Sequence, residues 1–142
     1  MAGKIATPHD AELILKLYDL RREAVMRQAR SDMFARFVPK SYDEFIAVTK
    51  AEHPLNTAYR MVSSYWEMAA GLVKHGALHL ELFAENCAEG LFMLAKAQPH
   101  LAKLREGAPT AYRNMEWVVN HSKEAQQRLD VVKKRLEKMS AK

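Results

Sequence analysis

The amino-acid sequence predicts an all-α protein, a helical bundle of four long helices plus one short helix, with long first and last helices. Three observations carry this fold class. Apolar residues recur at spacings of three and four along most of the chain. Capping residues, prolines and glycines mark where helices start and stop. No segment alternates apolar and polar residues as a half-buried strand would.

Thr7-Pro8-His9-Asp10 opens the first helix with a capping hydroxyl, a proline in the first turn and a carboxylate three residues after the threonine. Leu13, Leu17, Leu20 and Ala24 then lie on one face, and the pattern runs to about Arg36 before Pro39 stops it. Ser41-Tyr42-Asp43-Glu44 is a capping box that starts a short second helix through Phe45, Ile46 and Val48. His53-Pro54-Leu55-Asn56 marks a turn.

The third helix runs from about Asn56 to His75. Arg60, Glu67 and Lys74 share one stripe with Ser64 and Gly71. Val62, Trp66, Ala69 and Val73 form an apolar stripe, and Met61, Tyr65, Met68 and Leu72 form another. A helix apolar around most of its circumference belongs at the centre of a bundle. Gly76 suits its C-terminal cap. The fourth helix carries Leu80, Phe83, Cys87, Leu91 and Leu94, and Pro99 kinks or ends it. Gly107-Ala108-Pro109 closes one helix and starts the next.

The last helix, about residues 109–139, carries the most regular pattern: Met115, Val118, Ser122, Ala125, Leu129, Val132, Leu136 and Met139. Its first half is broadly apolar, with Tyr112, Trp117 and Val119 beside the seam. Its second half is apolar along the seam only, among Lys133, Lys134, Arg135 and Lys138. A narrow seam implies contact with one helix. The expectation is that this helix projects beyond the bundle and pairs either with the first helix or with another subunit.

Composition excludes several classes. A chain of 142 residues suits one domain, here 1–142. With 49% apolar residues and only five glycines and five prolines, it is neither disordered nor collagen-like. The single cysteine, Cys87, excludes an internal disulfide framework and a cysteine-built zinc site. The longest run without Asp, Glu, Lys or Arg is His53–Tyr59, far short of the roughly 20 apolar residues that a membrane-spanning helix needs. The opening MAGKIATPHD lacks the apolar run of a signal peptide, which makes a cytoplasmic protein the expectation.

Tyr65-Trp66-Glu67, Leu72-Val73-Lys74-x-Gly76, Leu82-Phe83, and then Leu104-Arg105-Glu106 with Tyr112 and Glu116, form a pattern. This pattern, over about residues 56–120, resembles small bacterial all-helical proteins of a domain family of unknown function. The resemblance implies an α-helical bundle and assigns no reaction.

Candidate chemistry is sparse. His75 and His79 are four apart, the spacing that aims two rings at one metal ion on a helix, but Gly76 between them marks a helix end at which the rings diverge. His9-x-x-Glu12 and His121-x-x-Glu124 reverse the order used by helical di-iron sites. Glu67 lies on a polar stripe, and Glu116 opposite the seam, so neither supplies an inward carboxylate. Glu81, Glu85 and Glu89 form a carboxylate stripe best read as a solvated face. Cys87 and the eight methionines read as packing, as do Trp66 and Trp117.

The formal charge of +5 concentrates late in the chain, where residues 109–142 carry eight basic and four acidic groups. Lysines in a last turn also complement the helix dipole, and no nucleic-acid-binding motif accompanies them. Phosphate loops, nucleophile elbows and zinc-protease motifs are missing from the sequence, and no cofactor is expected. The leading expectation is a non-enzymatic interaction module that self-associates as a homodimer through Leu129, Val132, Leu136 and Met139, with an unidentified protein partner as a further occupant. A ligand- or metal-binding bundle, or an enzyme, using His75, His79 and the Glu81, Glu85 and Glu89 stripe is the alternative. Nucleic-acid binding through the last helix ranks third.

Overall fold

The computed structural model describes residues 4–141, so Met1–Gly3 of the N-terminal stretch and Lys142 lie outside the described residues. Nine α-helices follow in order: α1 Pro8–Leu20, α2 Ala24–Ala35, α3 Tyr42–Ala47, α4 Asn56–Lys74, α5 Leu80–Ala84, α6 Ala88–Ala97, α7 Leu101–Gly107, α8 Arg113–His121 and α9 Lys123–Ser140. A 3-10 turn over Gln98–His100 joins α6 to α7. The described residues contain no strand. The chain is an all-α bundle in which α4 packs on α2 and α8, α6 packs along α9, and α8 bridges to α9.

Three of the four expected long helices are broken, while the third stays whole. The first divides at Arg21–Glu23. Leu17 is the buried apolar anchor of α1, whereas α2 buries Met26, Ala29 and Met33. On one continuous helix Leu17 and Met26, nine residues apart, would point to roughly opposite sides. Breaking the helix turns both inward. Glu23 caps the restart, its carboxylate accepting from the Val25 and Met26 amides at 3.0 and 2.9 Å.

The fourth divides at Glu85–Cys87, where the Asn86 side-chain Nδ2 donates to the Leu82 carbonyl at 2.8 Å. The last divides at Ser122, whose backbone is extended (φ −135°, ψ 117°) and whose hydroxyl accepts from the Ala125 amide at 3.1 Å. The seam continues across this break. Met115, Val118, Ser122, Ala125, Leu129 and Val132 are all buried, with Leu136 and Met139 partly so.

Helices of the same chain cover that seam, α4 packing on its α8 half and α6 on its α9 half. α9 packs along α6 through the buried Ala125, Leu129 and Val132. The end of α9 (Leu136, Ser140) and the α6–α7 turn (Gln98, Pro99) even share one depression.

α4 buries Val62, Trp66, Ala69, Ala70 and Val73 but leaves Met68 exposed, so it is one-sided. The helix buried all round is α6, where every residue from Gly90 to Ala97 is buried. Gly90 permits this. A Cβ there would stand 3.0 Å from the Trp66 ring and from the Met115 methyl. The end of α4 is a Schellman turn. Gly76, at φ +79°, donates to the Val73 carbonyl, and Ala77 donates to Leu72.

α8 has no local side-chain cap; Tyr112 precedes it in a left-handed conformation (φ 59°). Glu67 of α4 supplies the cap from a distance, accepting from the Asn114 and Met115 amides at 3.0 and 2.9 Å. An anionic acceptor at a helix N-terminus satisfies free donors and complements the dipole.

Candidate functional site

The expected metal pair is separated. His75 is the exposed C-terminal cap residue of α4. His79 caps α5, with Nδ1 accepting from the Leu82 amide at 3.0 Å while Nε2 bonds the Lys4 carbonyl. Both nitrogens of His79 are thus committed to backbone. Among the described residues no three His, Cys, Asp or Glu side chains converge on a point.

The expected carboxylate stripe does not exist as a stripe, because its members fall on two helices and an exposed link. Glu81 accepts from the Ser122 hydroxyl at 3.1 Å. Glu85 is exposed beyond α5. Glu89 takes the Arg30 Nε at 2.7 Å and the Trp66 indole N–H at 2.9 Å. Cys87 is fully buried, donates weakly to the Ala84 carbonyl, and burial pushes its thiol up to about 12, so it stays a protonated core residue at neutral pH. Glu116 pairs with Arg105 at 3.2 Å and Glu124 with Arg128 at 2.8 Å.

The self-association surface expected at Leu129, Val132, Leu136 and Met139 is occupied from within. Leu129 and Val132 are buried in the chain's own core, and Leu136 and Met139 pack against its edge. A sequence stripe records that something covers it, not what.

The unclaimed apolar surface lies at the other end of the chain, on α1. The inner side of this helix is firmly placed. Leu17 is buried, Leu13 and Ile14 pack on the core, and the Tyr65 hydroxyl donates to the Leu17 carbonyl. Asp10 completes a capping box with Thr7 and accepts from the His79 amide at 3.0 Å, and these amide bonds hold its carboxyl below the usual carboxylate range. At the end of the helix the Arg21 guanidinium lies 5.3 Å over the Tyr18 ring and 5.2 Å over the Trp66 ring.

The outer side of α1 is also apolar. Ala11, Leu15 and Tyr18 follow at spacings of four and three, with Leu15 67% and Tyr18 52% exposed. Leu15 and Tyr18 form one wall of a groove of about 250 Å³ floored by Tyr65, Trp66 and Phe83. Beside the stripe run Glu12, Lys16, Asp19 and Arg22, alternating in sign, and none of the four forms an ion pair with a described residue. The 4–3 spacing of Ala11, Leu15 and Tyr18 is the signal by which this second face could be found in the sequence. It is masked by the stronger Leu13–Leu17 stripe on the other side.

No helix among the described residues is long and apolar enough to cross a membrane. Among the curated proteins and the solved structures, none matches the chain. Residues 6–122, α1 through Ser122, match the family described as "Domain of unknown function (DUF4760)", and the chain belongs to that family.

Proposed function

We propose that the protein is a non-enzymatic interaction module that self-associates as a homodimer through the outer face of α1. One observation carries this reading: the exposed Ala11–Leu15–Tyr18 stripe is flanked by charges whose order complements itself on reversal. A two-fold axis makes a residue and its counterpart exchange places across an isologous contact. Laid antiparallel about Leu17, two copies of this segment set Glu12 against Arg22, just beyond α1, and bring Lys16 to within one residue of Asp19 and Leu15 to within one residue of Tyr18.

The contact is small. A helix of 13 residues is about 20 Å long, so the expected dimer is of the weak, concentration-dependent kind. A buried free thiol fits a cytoplasmic setting. Sedimentation velocity between about 1 and 200 μM, spanning the weak-association range, is the direct test. The wild type shifts from monomer to dimer across that range, and Leu15→Asp holds it monomeric. A wild type that stays monomeric at the top of the range ends this reading. A dimer untouched by Leu15→Asp places the contact elsewhere.

A further inference from the structure

Among the described residues Lys96 is the one lysine within the core. It is 3% exposed, on a helix whose neighbours from Gly90 to Ala97 are otherwise apolar. Its ammonium carries three donors. One goes to the Met33 carbonyl at 2.5 Å, and the rest of the group lies against the Phe92 and Phe37 rings, 4.7 and 5.5 Å from their centroids. Among the described residues no carboxylate pairs with it. Glu89 is on the same helix, but its oxygens are taken by Arg30 and Trp66. Burial pulls the amine down to about 7, opposed by the charge of Glu89. A buried cation without an anionic partner is costly, and such groups are uncommon outside functional sites.

A cavity of about 180 Å³ adjoins this amine. Met33, Phe34, Phe92, Met93 and Val132 form its apolar walls, with Lys96, Arg30 and Arg135 as its cations and Glu89 as its only acid. Met33 and Phe92, the two groups against the Lys96 Nζ, both line it. Phe34 stacks tilted on Phe92 at 5.4 Å yet remains 53% exposed, forming a lip at the mouth. Arg135 forms no ion pair with a described residue.

We propose that this cavity between α2, α6 and α9 binds a small apolar monocarboxylate, with the carboxylate on Lys96 and Arg135 and the hydrocarbon body among Met33, Phe34 and Val132. The chemistry selects this class. An inorganic anion would leave the apolar walls facing water, and a neutral hydrocarbon would leave the ammonium without an anionic partner. The volume is below that of pockets for drug-sized molecules, roughly 300–1,000 Å³, which limits the ligand to a single ring or a short chain. The site is separate from the outer face of α1 and does not depend on self-association.

The test uses benzoate and its uncharged isostere benzamide, at matched ionic strength. Benzoate is expected to raise the melting temperature saturably in the millimolar range, while benzamide does not. Isothermal titration is expected to show Lys96→Met weakening benzoate about tenfold or more, the loss appropriate to a charged hydrogen bond. Should that variant fail to fold, methyl NMR of the wild type decides: Met33 and Met93 signals move with benzoate and not with benzamide. Equal effects of benzoate and benzamide, or benzoate binding unchanged in a folded Lys96→Met protein, overturn the proposal. So does an absence of benzoate-induced shifts at Met33 and Met93.

Discussion

α6 and α1 are similar in length and both strongly apolar, at 10 and 13 residues, yet they are used in opposite ways. α6 meets α4, α8 and α9, and is covered from Gly90 to Ala97. α1 buries Leu17 and Asp10 but leaves Leu15, Tyr18 and Leu20 in water. Both regions also break the pattern expected of them. α6 hides a cation, and α1 displays hydrocarbon. The lesson is that apolar content measures how much surface a helix can bury, while its neighbours decide how much it does. A fully surrounded helix contributes to stability; a half-covered one keeps surface for association.

The contrast can be broken most forcefully at Leu94, which is fully buried in α6. Leu94→Ala is expected to cost about 2–5 kcal/mol, from lost transfer energy and a residual cavity. Urea denaturation followed by circular dichroism reads this directly, and a cost below about 1 kcal/mol would mean that α6 is not the structural centre.

Lys96 sharpens the same side of the comparison through pH. Its folded value of about 7 is below the ordinary 10.5, so the unfolded chain binds the proton more tightly between those limits. Stability contributed at this site is therefore lowest below pH 7 and rises as pH climbs toward 10.5. Lys96→Met should accordingly be more stable than wild type at pH 6, by a few kcal/mol, with the gap narrowing by pH 9. A gap independent of pH would show that the amine is not desolvated.

Gly90→Ala is a smaller probe. The added methyl meets the Trp66 ring and the Met115 methyl at 3.0 Å, costing about 1–3 kcal/mol, while alanine regains up to about 1 kcal/mol in helix propensity. A net loss near 1 kcal/mol in the same denaturation experiment is expected, and a net gain would show that α6 has room to spare.

The smallest effect on stability should come from α1. Leu15→Asp is expected to change unfolding free energy by less than about 0.5 kcal/mol while abolishing the dimer, because its side chain is exposed in the monomer. Within the proposed dimer, Lys16→Glu should weaken association, and adding Asp19→Lys should restore it. Failure of the second change to rescue the first counts against the antiparallel pairing.

Much of the fold was legible because helix signals are local. The Thr7 box, the Ser41 cap, the Gly76 turn and the stop at Pro99 act within a few residues of themselves. The breaks were harder. Glu23 is an unusual cap, and Ser122 fits the apolar seam by position while also being a favoured N-cap residue, so periodicity hid it. The pairing of α6 with α9 joins segments that no spacing rule connects, so the seam's partner could not be read from the seam. Of the candidate sites, the α1 face had a visible 4–3 spacing. Lys96 was visible only as a lone charge in the apolar run Gly90–Ala97, a pattern that does not distinguish a buried amine from one that reaches solvent.

The carboxylate of Glu67 at the start of α8 makes one helix conditional on another. α8 has nine residues, too few to persist alone in water, and its initiating amides are capped from 47 and 48 positions away. It therefore has no stable form until α4 is in place, and loosening of α4 uncaps it. The Asn114 and Met115 amides should consequently exchange with deuterium together, through the same opening that releases α4, making them reporters of cooperative unfolding instead of the local fraying usual at a helix end.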